Sequence, residues 1–216
     1  MSMLTDSQSR FAMKRVTKDH QERRRELIDA AERLFLSRGY SETAVSDIVR
    51  EISVAQGTFY YYFRTKEEIL EAVIEKNIND LEREIRQVMS REGAGPAEKL
   101  MEMINSILHL QVSRKELIER IHEERNAVMH EKVERRIASR MAPLVAEVVR
   151  SGMAQGCFDA DLPEETAELL MAAIIYLFHQ PDIDADPARR ERMRSALEGI
   201  MAKAFGIKAE GFSLKL

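Results

Sequence analysis

Apolar residues recur three and four positions apart along nearly the whole 216-residue chain, and no useful stretch alternates apolar with polar residues. The first spacing gathers apolar side chains on one face of a helix, whereas alternation is typical of a half-buried strand. Helix-start residues, glycines and prolines divide the chain into about nine such segments. The sequence therefore predicts an all-α fold.

Local signals give the approximate bounds of these helices. Ser, Thr or Asp followed three residues later by Glu is typical of a capping box, which occurs at Asp19, Thr65 and Ser113. Pro143 should kink or divide the helix that contains it, and Asp161 should cap the next one. The predicted helices cover about 19–38, 45–52, 56–63, 65–92, 96–112, 113 onward, 130–155, 161–179 and 186–206.

Composition limits the setting in which the chain works. The longest uncharged apolar run, Leu169 to Phe178, has ten residues, whereas a membrane-spanning helix needs about 20. The first residues lack the apolar segment of a secretory signal. A single cysteine, Cys157, excludes an internal disulfide framework. We therefore expect a cytoplasmic protein with no membrane contact.

The segment from Thr43 to Leu70 contains the most specific signal. Two short helices meet around Ile52 and Ser53, and the second carries polar and aromatic residues on its outer faces: Gln56, Gly57, Thr58, Tyr60, Tyr61 and Tyr62. A core does not need tyrosines this dense, but their hydroxyls can reach phosphate oxygens. Gly57 costs about 1 kcal/mol of helix propensity, which close approach to a DNA groove would offset.

Residues 23–70 resemble the DNA-binding region of the tetracycline-repressor (TetR) family of bacterial transcriptional regulators. The matching residues are Ile28, Ala30, Ala31, Phe35, Gly39, Tyr40, Thr43, Val45, Ile48, Val54, Gly57, Thr58, Tyr60, Tyr62, Phe63, Lys66, Glu67 and Leu70. The resemblance implies a three-helix helix-turn-helix DNA-binding domain followed by a six-helix ligand-binding and dimerisation domain. We assign residues 1–17 to a flexible basic arm, 18–65 to the first domain, 66–206 to the second and 207–216 to a weakly ordered tail.

The resemblance also transfers DNA-binding roles by position. Gln56, Thr58, Tyr60 and Tyr61 are predicted to face the groove, with Gly57 allowing the close approach, and the predicted phosphate contacts are Thr43, Ser46, Tyr62 and Lys66. Two positions depart from the family pattern. Ile52–Ser53 replaces the usual Ala-Gly of the turn, and Ala55 stands where the family has a capping Ser or Thr. Either Ser53 caps the recognition helix or its start shifts by one residue.

Charge is divided unevenly along the chain. Residues 10–66 hold twelve Lys and Arg against eight Asp and Glu, whereas the whole chain has a net charge of −4. The positive charge thus lies where DNA would bind. Residues Arg10, Lys14, Arg15 and Lys18 form either an arm that contacts DNA or a solvated tail.

The two last helices offer a second surface. The helix ending near residue 179 is apolar nearly all round, and the final helix carries an apolar stripe. Such faces need covering on several sides, and two helices from each of two subunits can form a four-helix interface. The alternative is a core within one chain. The predicted dimer residues are Leu170, Ala173, Ile174, Leu177, Leu197, Ile200 and Met201.

A small-molecule pocket is harder to assign. In the family it lies among helices four to eight of the predicted nine, where flexible methionines can line an adaptable apolar site. The candidate residues are Met103, His122, Asn126, His130 and Tyr176. Methionine at helical spacing is more often plain core, and the acidic residues near His122 are more typical of a solvated face than of a metal site. We predict no metal and no cofactor, and a lone Cys157 is weak evidence for redox sensing.

The sequence thus favours a homodimeric repressor that a largely apolar ligand releases from a palindromic operator. Two alternatives remain at this point: an enzyme and a helical adaptor that binds protein through its tyrosines. No GxGxxG, GxSxG, HExxH or Walker motif is present, so we predict that the chain is not an enzyme.

Overall fold

The computed structural model describes residues 19–113, 127–178, 186–207 and 214. Within these ranges it describes the backbone alone for residues 110–113, 127–132 and 177–178. Every regular element within this part is an α-helix, which confirms the predicted fold class. The helices are α1 (His20–Arg38), α2 (Val45–Glu51), α3 (Gln56–Tyr62), α4 (Lys66–Ser90), α5 (Pro96–Ser113), α6 (Ala127–Ala154), α7 (Pro163–Phe178) and α8 (Pro187–Ala204). The basic arm and the helix predicted after Ser113 lie outside the described residues.

The helix starts follow the sequence signals in part. Thr65 Oγ1 accepts a hydrogen bond from the Glu68 amide at 3.1 Å, as expected of an N-cap. Asp186 caps α8 in the same way, by accepting from the Ala188 and Arg189 amides. The box predicted at Asp19 is wrong, because that side chain makes no capping hydrogen bond. The predicted cap at Asp161 is also displaced, because α7 begins at Pro163.

Helices α1, α2 and α3 form a small unit that closes against the start of α4. Three aromatic side chains, Phe35, Phe59 and Phe63, fill its centre and are at most 1% exposed. Residues 59 and 63 are one helical turn apart, so both point inward while the rest of α3 faces outward. A short three-helix unit buries little surface by itself, and it therefore depends on the apolar face of α4.

The turn between α2 and α3 contains a conformation that glycine normally supplies. Ser53 has a φ of 54°, in the left-handed region that costs most other residues about 1–2 kcal/mol. Its amide donates to the Arg50 carbonyl oxygen at 3.1 Å. The N-cap of α3 is Ala55, without a side-chain hydrogen bond. Ser53 therefore shapes the turn and does not cap the helix.

The remaining helices build a second core on the other part of α4. Helix α6 packs most extensively against α7, and α4, α5 and α6 pack against one another. Pro143 lies inside α6, which runs through it without being divided. Leu214, from the segment predicted to be a weakly ordered tail, is 3% exposed. Its amide donates to Glu198 of α8 at 2.5 Å.

Two neighbouring residues of α4 connect the two cores. Lys76 donates hydrogen bonds to Asp29 and to Glu32 of α1, the latter at 2.7 Å. Glu75 accepts from Arg136 at 3.0 Å and from Arg140 at 2.8 Å, both on α6. Helix α4 is therefore held by ion pairs to both sides. Among the described residues, no helix has the length and apolar character needed to cross a membrane.

Candidate nucleic-acid interface

The outer face of α3 combines polar and aromatic groups. Gln56 and Gly57 are exposed, and Tyr60 and Tyr61 are 54% and 70% exposed. Thr58 is half-buried. Phe59 and Phe63 anchor the opposite side of the helix in the core. The structure thus exposes Gln56, Tyr60 and Tyr61 to solvent on α3 and leaves Thr58 half-buried beside them.

Gly57 has space around it. A Cβ atom built at this position would meet no other heavy atom within 4 Å. Packing inside the protein therefore gives no reason for glycine at this exposed helical position. A binding partner that must come close to the backbone of α3 would explain the glycine.

Tyr62 is held between solvent and the core. It is half-buried, and its ring centre lies 4.7 Å from that of His20 and 4.9 Å from that of Tyr61. His20 also contacts Tyr61 edge to face at 5.6 Å. These contacts join the start of α1 to the exposed side of α3.

The structure corrects the predicted phosphate role of Thr43. This side chain is fully buried, and its hydroxyl donates to the Gly39 carbonyl oxygen at 2.7 Å. A buried hydroxyl with an internal acceptor cannot contact a phosphate in this conformation. Thr43 instead fixes the connection between α1 and α2.

Lys66 is also directed inward. Its ammonium donates to the carbonyl oxygens of Tyr40 at 2.9 Å and Thr43 at 3.1 Å. These bonds use two of its three donors. The predicted phosphate contact is therefore replaced here by a tie between α4 and the α1–α2 connection. Ser46 is half-buried in the first turn of α2.

Tyr40 makes a second contact to α4, through its side-chain hydroxyl. Its hydroxyl donates to Glu67 Oε1 at 3.1 Å. Burial, followed by the neighbouring charge of Glu67 and this hydrogen bond, raises the pKa of the Tyr40 hydroxyl well above its usual range. The hydroxyl therefore stays a protonated donor at any ordinary pH.

Three arginines were missed by the sequence analysis, and two of them, Arg24 and Arg64, lie near α3. Arg24 and Arg25 of α1 line one side of a cleft, and Arg64 is exposed directly after α3. Arg24 Cζ lies 5.1 Å from the centre of the Phe63 ring. The run of three arginines at positions 23–25 was a visible signal, but periodicity alone did not show which of them lie near α3.

An apolar groove of about 340 Å³ lies between α7 and α8. Ala173 and Ile200 border it and are exposed, whereas Leu170, Ile174 and Leu197 are buried beneath it. Met201 is fully buried, so its predicted place in a dimer contact is wrong for this conformation. The side chain of Leu177 lies outside the described residues. Leu169, which the prediction omitted, is 73% exposed at the groove.

The predicted ligand residues are not brought together. Met103 is fully buried in α5, whereas Tyr176 is exposed on α7. Tyr176 therefore does not line an enclosed interior pocket in this conformation, contrary to its assignment. His122 and Asn126 lie outside the described residues, as does the side chain of His130. No group of three or more metal-ligating side chains occurs in the part of the chain that the structure describes.

Comparison with known protein families identifies both parts of the chain. Residues 27–73 match the model of bacterial regulatory proteins of the tetR family. Residues 109–197 match a tetracyclin repressor-like C-terminal domain. Together these matches cover more than half of the sequence. The chain belongs to the TetR family. Its family is one of bacterial regulatory proteins, not of enzymes.

Curated relatives match this TetR-family chain over a limited region. The HTH-type transcriptional repressor DhaR of Mycobacterium sp. (strain GP1) is 32% identical over 85 residues, which are 39% of this chain and 43% of DhaR. The regulator HbdR of Aromatoleum sp. (strain CIB) is 39% identical over 82 residues, 37% of this chain and 34% of HbdR. The chain therefore matches less than half the length of these relatives.

Solved structures resemble this TetR-family chain over most of its length. A regulator from Saccharomonospora viridis in complex with choline has a TM-score of 0.62 at 22% identity, covering 86% of this chain and 98% of its own. RolR in complex with resorcinol has a TM-score of 0.60 at 19% identity, covering 88% and 90%. At these identities the likeness shows the fold.

Proposed function

We propose that this TetR-family regulator is a homodimeric repressor that binds a palindromic operator and releases it when a small molecule binds the helical body. The observation that carries the proposal is the exposed face of α3. Gln56, Tyr60 and Tyr61 stand on a helix whose other side is anchored by fully buried phenylalanines. A rigid helix with such groups suits the major groove.

The proposed roles on DNA follow from exposure. Gln56 and Thr58 read base edges near the start of α3, and Gly57 permits close approach. Tyr60 and Tyr61 face the same groove, and Tyr62 contacts a phosphate, with Ser46 adding a contact from α2. Lys66 and Thr43 act indirectly, because they hold the α1–α2 connection against α4.

A titration with the DNA upstream of the chain's own gene tests this proposal. We expect Tyr61→Ala to weaken binding and Tyr61→Phe to show how much of the loss comes from the hydroxyl. Leu162→Ala is a matched control, because Leu162 is exposed before α7 and far along the chain from α3. Wild-type protein that protects no palindrome at low salt would refute operator binding.

The proposed dimer forms through the groove between α7 and α8. Leu169 and Ile200, which is 56% exposed, present apolar surface to solvent beside this groove. A second copy presents the same surface, so the two can cover each other around a twofold axis. Two copies on one duplex would place two α3 helices in successive major grooves.

A charge in the groove tests the dimer. We expect Leu169→Glu to convert the protein to a monomer in sedimentation experiments, since a buried carboxylate without a partner is strongly unfavourable. Leu162→Glu introduces the same charge at a residue that is 59% exposed outside the groove. Wild-type protein that sediments as a monomer at micromolar concentration would refute the dimer.

The proposed ligand site lies among α4, α5 and α6, which pack together around apolar residues such as Met103. Two proteins of the same fold hold choline and resorcinol, and an apolar interior favours a largely apolar molecule here. Such a ligand releases DNA only if it binds the non-DNA conformation more tightly. Thermal shifts across a metabolite panel, followed by DNA release, test this role.

A further inference from the structure

A cleft of about 550 Å³ separates the first turns of α1 from the middle of α4. Gln21, Arg24, Arg25 and Ile28 line it from α1. The opposite wall comes from α4 and includes Lys76 and Arg83. The cleft is thus rich in cationic groups, and the two walls use them differently.

The cations on the α4 wall are neutralised by neighbouring carboxylates. Lys76 is paired with Asp29 and Glu32, and Arg83 lies 2.9 Å from Asp80. The acidic Glu75 is in turn paired with Arg136 and Arg140. This wall therefore offers little unbalanced charge to a ligand.

The α1 wall is different. No carboxylate of the described residues lies within salt-bridge distance of Arg24 or Arg25, and the same holds for Arg64 after α3. Arg24 is instead held over the Phe63 ring, with Cζ 5.1 Å from the ring centre. A guanidinium held over an aromatic ring by a cation–π contact still has N–H donors available for another partner.

Arg64 follows α3 closely in sequence, and Arg24 borders α3 through Phe63 and shares its cleft with Arg25. His20 precedes them on α1 and contacts both Tyr61 and Tyr62. Phe63, which Arg24 covers, directly follows α3. The exposed tyrosines, His20, Arg24 and Arg64 therefore adjoin one another, and the cleft continues this surface to Arg25.

From this continuity we infer that His20, Arg24, Arg25 and Arg64 form a flanking surface that binds phosphodiesters of the operator beyond the base pairs read by α3. The inference rests on the proposed DNA binding and adds a contact that carries no base specificity. Guanidinium groups match phosphate oxygens in a two-donor geometry. Each contact releases counterions, so it increases the salt dependence of binding.

Two duplexes with the same operator test the flanking surface. The short duplex ends at the outermost base pairs of the palindrome, and the long one adds about half a helical turn at each end. Wild-type protein should bind the long duplex more tightly and with a steeper salt slope. Arg25→Ala should lose most of this gain in affinity, and its salt slope on the long duplex should flatten by about 1 per subunit. Its affinity for the short duplex should equal that of wild type.

Two further variants keep the result interpretable. Arg33 is an exposed arginine of the same helix and lies 3.6 Å from Glu51. Arg33→Ala should therefore retain the full gain in affinity that the long duplex gives. Arg24→Lys keeps the charge but not the planar donors, so it should retain only part of the gain even if Arg24→Ala proves unstable. Thermal unfolding of each variant confirms that it is folded.

The outcomes separate the inference from the proposed function. Failure of wild-type protein to bind either duplex would refute operator binding itself. Equal binding of both duplexes, or an Arg25→Ala protein that keeps the gain, would overturn the flanking surface alone. Inorganic phosphate that stabilises wild-type protein but not Arg25→Ala, with no length effect on DNA, would assign the cleft to a free anion and also overturn it.

Discussion

The Lys66 ammonium lies 4.2 Å from the centre of the Tyr40 ring and donates a hydrogen bond to the Tyr40 carbonyl oxygen at 2.9 Å. The first residue of α4 is thereby fixed to the connection between α1 and α2. The same ammonium also reaches the Thr43 carbonyl oxygen. Because α4 continues into the second core, this contact connects the position of the α1–α3 unit to the helix on which the proposed ligand would act.

Lys66→Met should therefore destabilise the protein. The variant keeps the apolar stem but removes two hydrogen bonds from a charged donor, each of which contributes about 1.5–3 kcal/mol. Because Lys66 is only half-buried, we expect less than the sum of the two bonds. Urea unfolding should show a decrease in the free energy of unfolding of at least about 1.5 kcal/mol. DNA affinity should fall with an unchanged salt slope, because the lysine positions the unit without touching phosphate.

Lys203→Met is the control for Lys66→Met. Lys203 is exposed in the last turn of α8, where such a change usually alters stability by less than about 0.5 kcal/mol. A salt slope that flattens by about 1 per subunit in Lys66→Met would instead assign the ammonium to a phosphate.

Gly57→Ala should separate stability from DNA binding. Alanine gains up to about 1 kcal/mol of helix propensity over glycine, and no atom of the protein lies near the added methyl group. The free energy of unfolding should therefore rise while DNA affinity falls, because the methyl group keeps the helix away from the groove. Gly199→Ala, in an equally open position in α8, should change stability in the same direction and leave DNA affinity unaltered. Unchanged affinity in Gly57→Ala would contradict the close approach.

The helical fold and the outward tyrosines were predictable because both depend on spacing within one helix. Phe59 and Phe63 are four residues apart and face inward, so Tyr60 and Tyr61 between them face out. Such a pattern is local and can be read without knowing the neighbours.

The roles of Thr43 and Lys66 could not be read in this way. A threonine in a connection and a lysine at a helix start offer the same donors to a phosphate or to a carbonyl oxygen. The acceptors of Lys66 are 23 and 26 residues away in sequence, so only the packed structure decides between them. The backbone of Ser53 is a second example, because a serine at this position does not by itself indicate its left-handed φ of 54°.

Asn77 interrupts the apolar face of α4 and should reduce stability. Its side-chain amide donates to the Val73 carbonyl oxygen at 2.8 Å. Its Oδ1 atom is buried and, among the described residues, accepts no hydrogen bond. An unsatisfied buried acceptor costs about 1–3 kcal/mol, and apolar replacement can remove that cost. Asn77→Leu should therefore raise the free energy of unfolding by about 1–2 kcal/mol.

Asn79 provides the matched comparison for Asn77→Leu. It lies two residues further along α4, and its oxygen accepts from Arg140 at 2.8 Å. Asn79→Leu should give no increase in stability, because it removes a satisfied acceptor. A loss of stability in Asn77→Leu would show that the Asn77 oxygen finds a donor in solution.

The contact between Arg140 and Glu82 should make stability depend on pH in the acid range. Arg140 donates to Glu82 from Nε at 2.9 Å, and Arg86 donates from Nη2 at 2.8 Å. These hydrogen bonds, from Arg140 first and then Arg86, lower the pKa of the Glu82 carboxyl below its ordinary value. A lowered carboxyl pKa stabilises the folded state above the unfolded pKa of about 4.3. This stabilisation is lost as the pH falls through the folded pKa.

Arg140→Met should consequently have a lower Tm than wild type at neutral pH, and the difference should shrink below about pH 4. The experiment is a series of thermal unfolding curves of both proteins from pH 8 to pH 3. Arg83→Met serves as control, because Arg83 and its partner Asp80 are both largely exposed and such pairs contribute little. A Tm difference that persists undiminished at pH 3 would mean that Arg140 stabilises α4 and α6 by packing its stem, since protonated Glu82 no longer attracts the guanidinium.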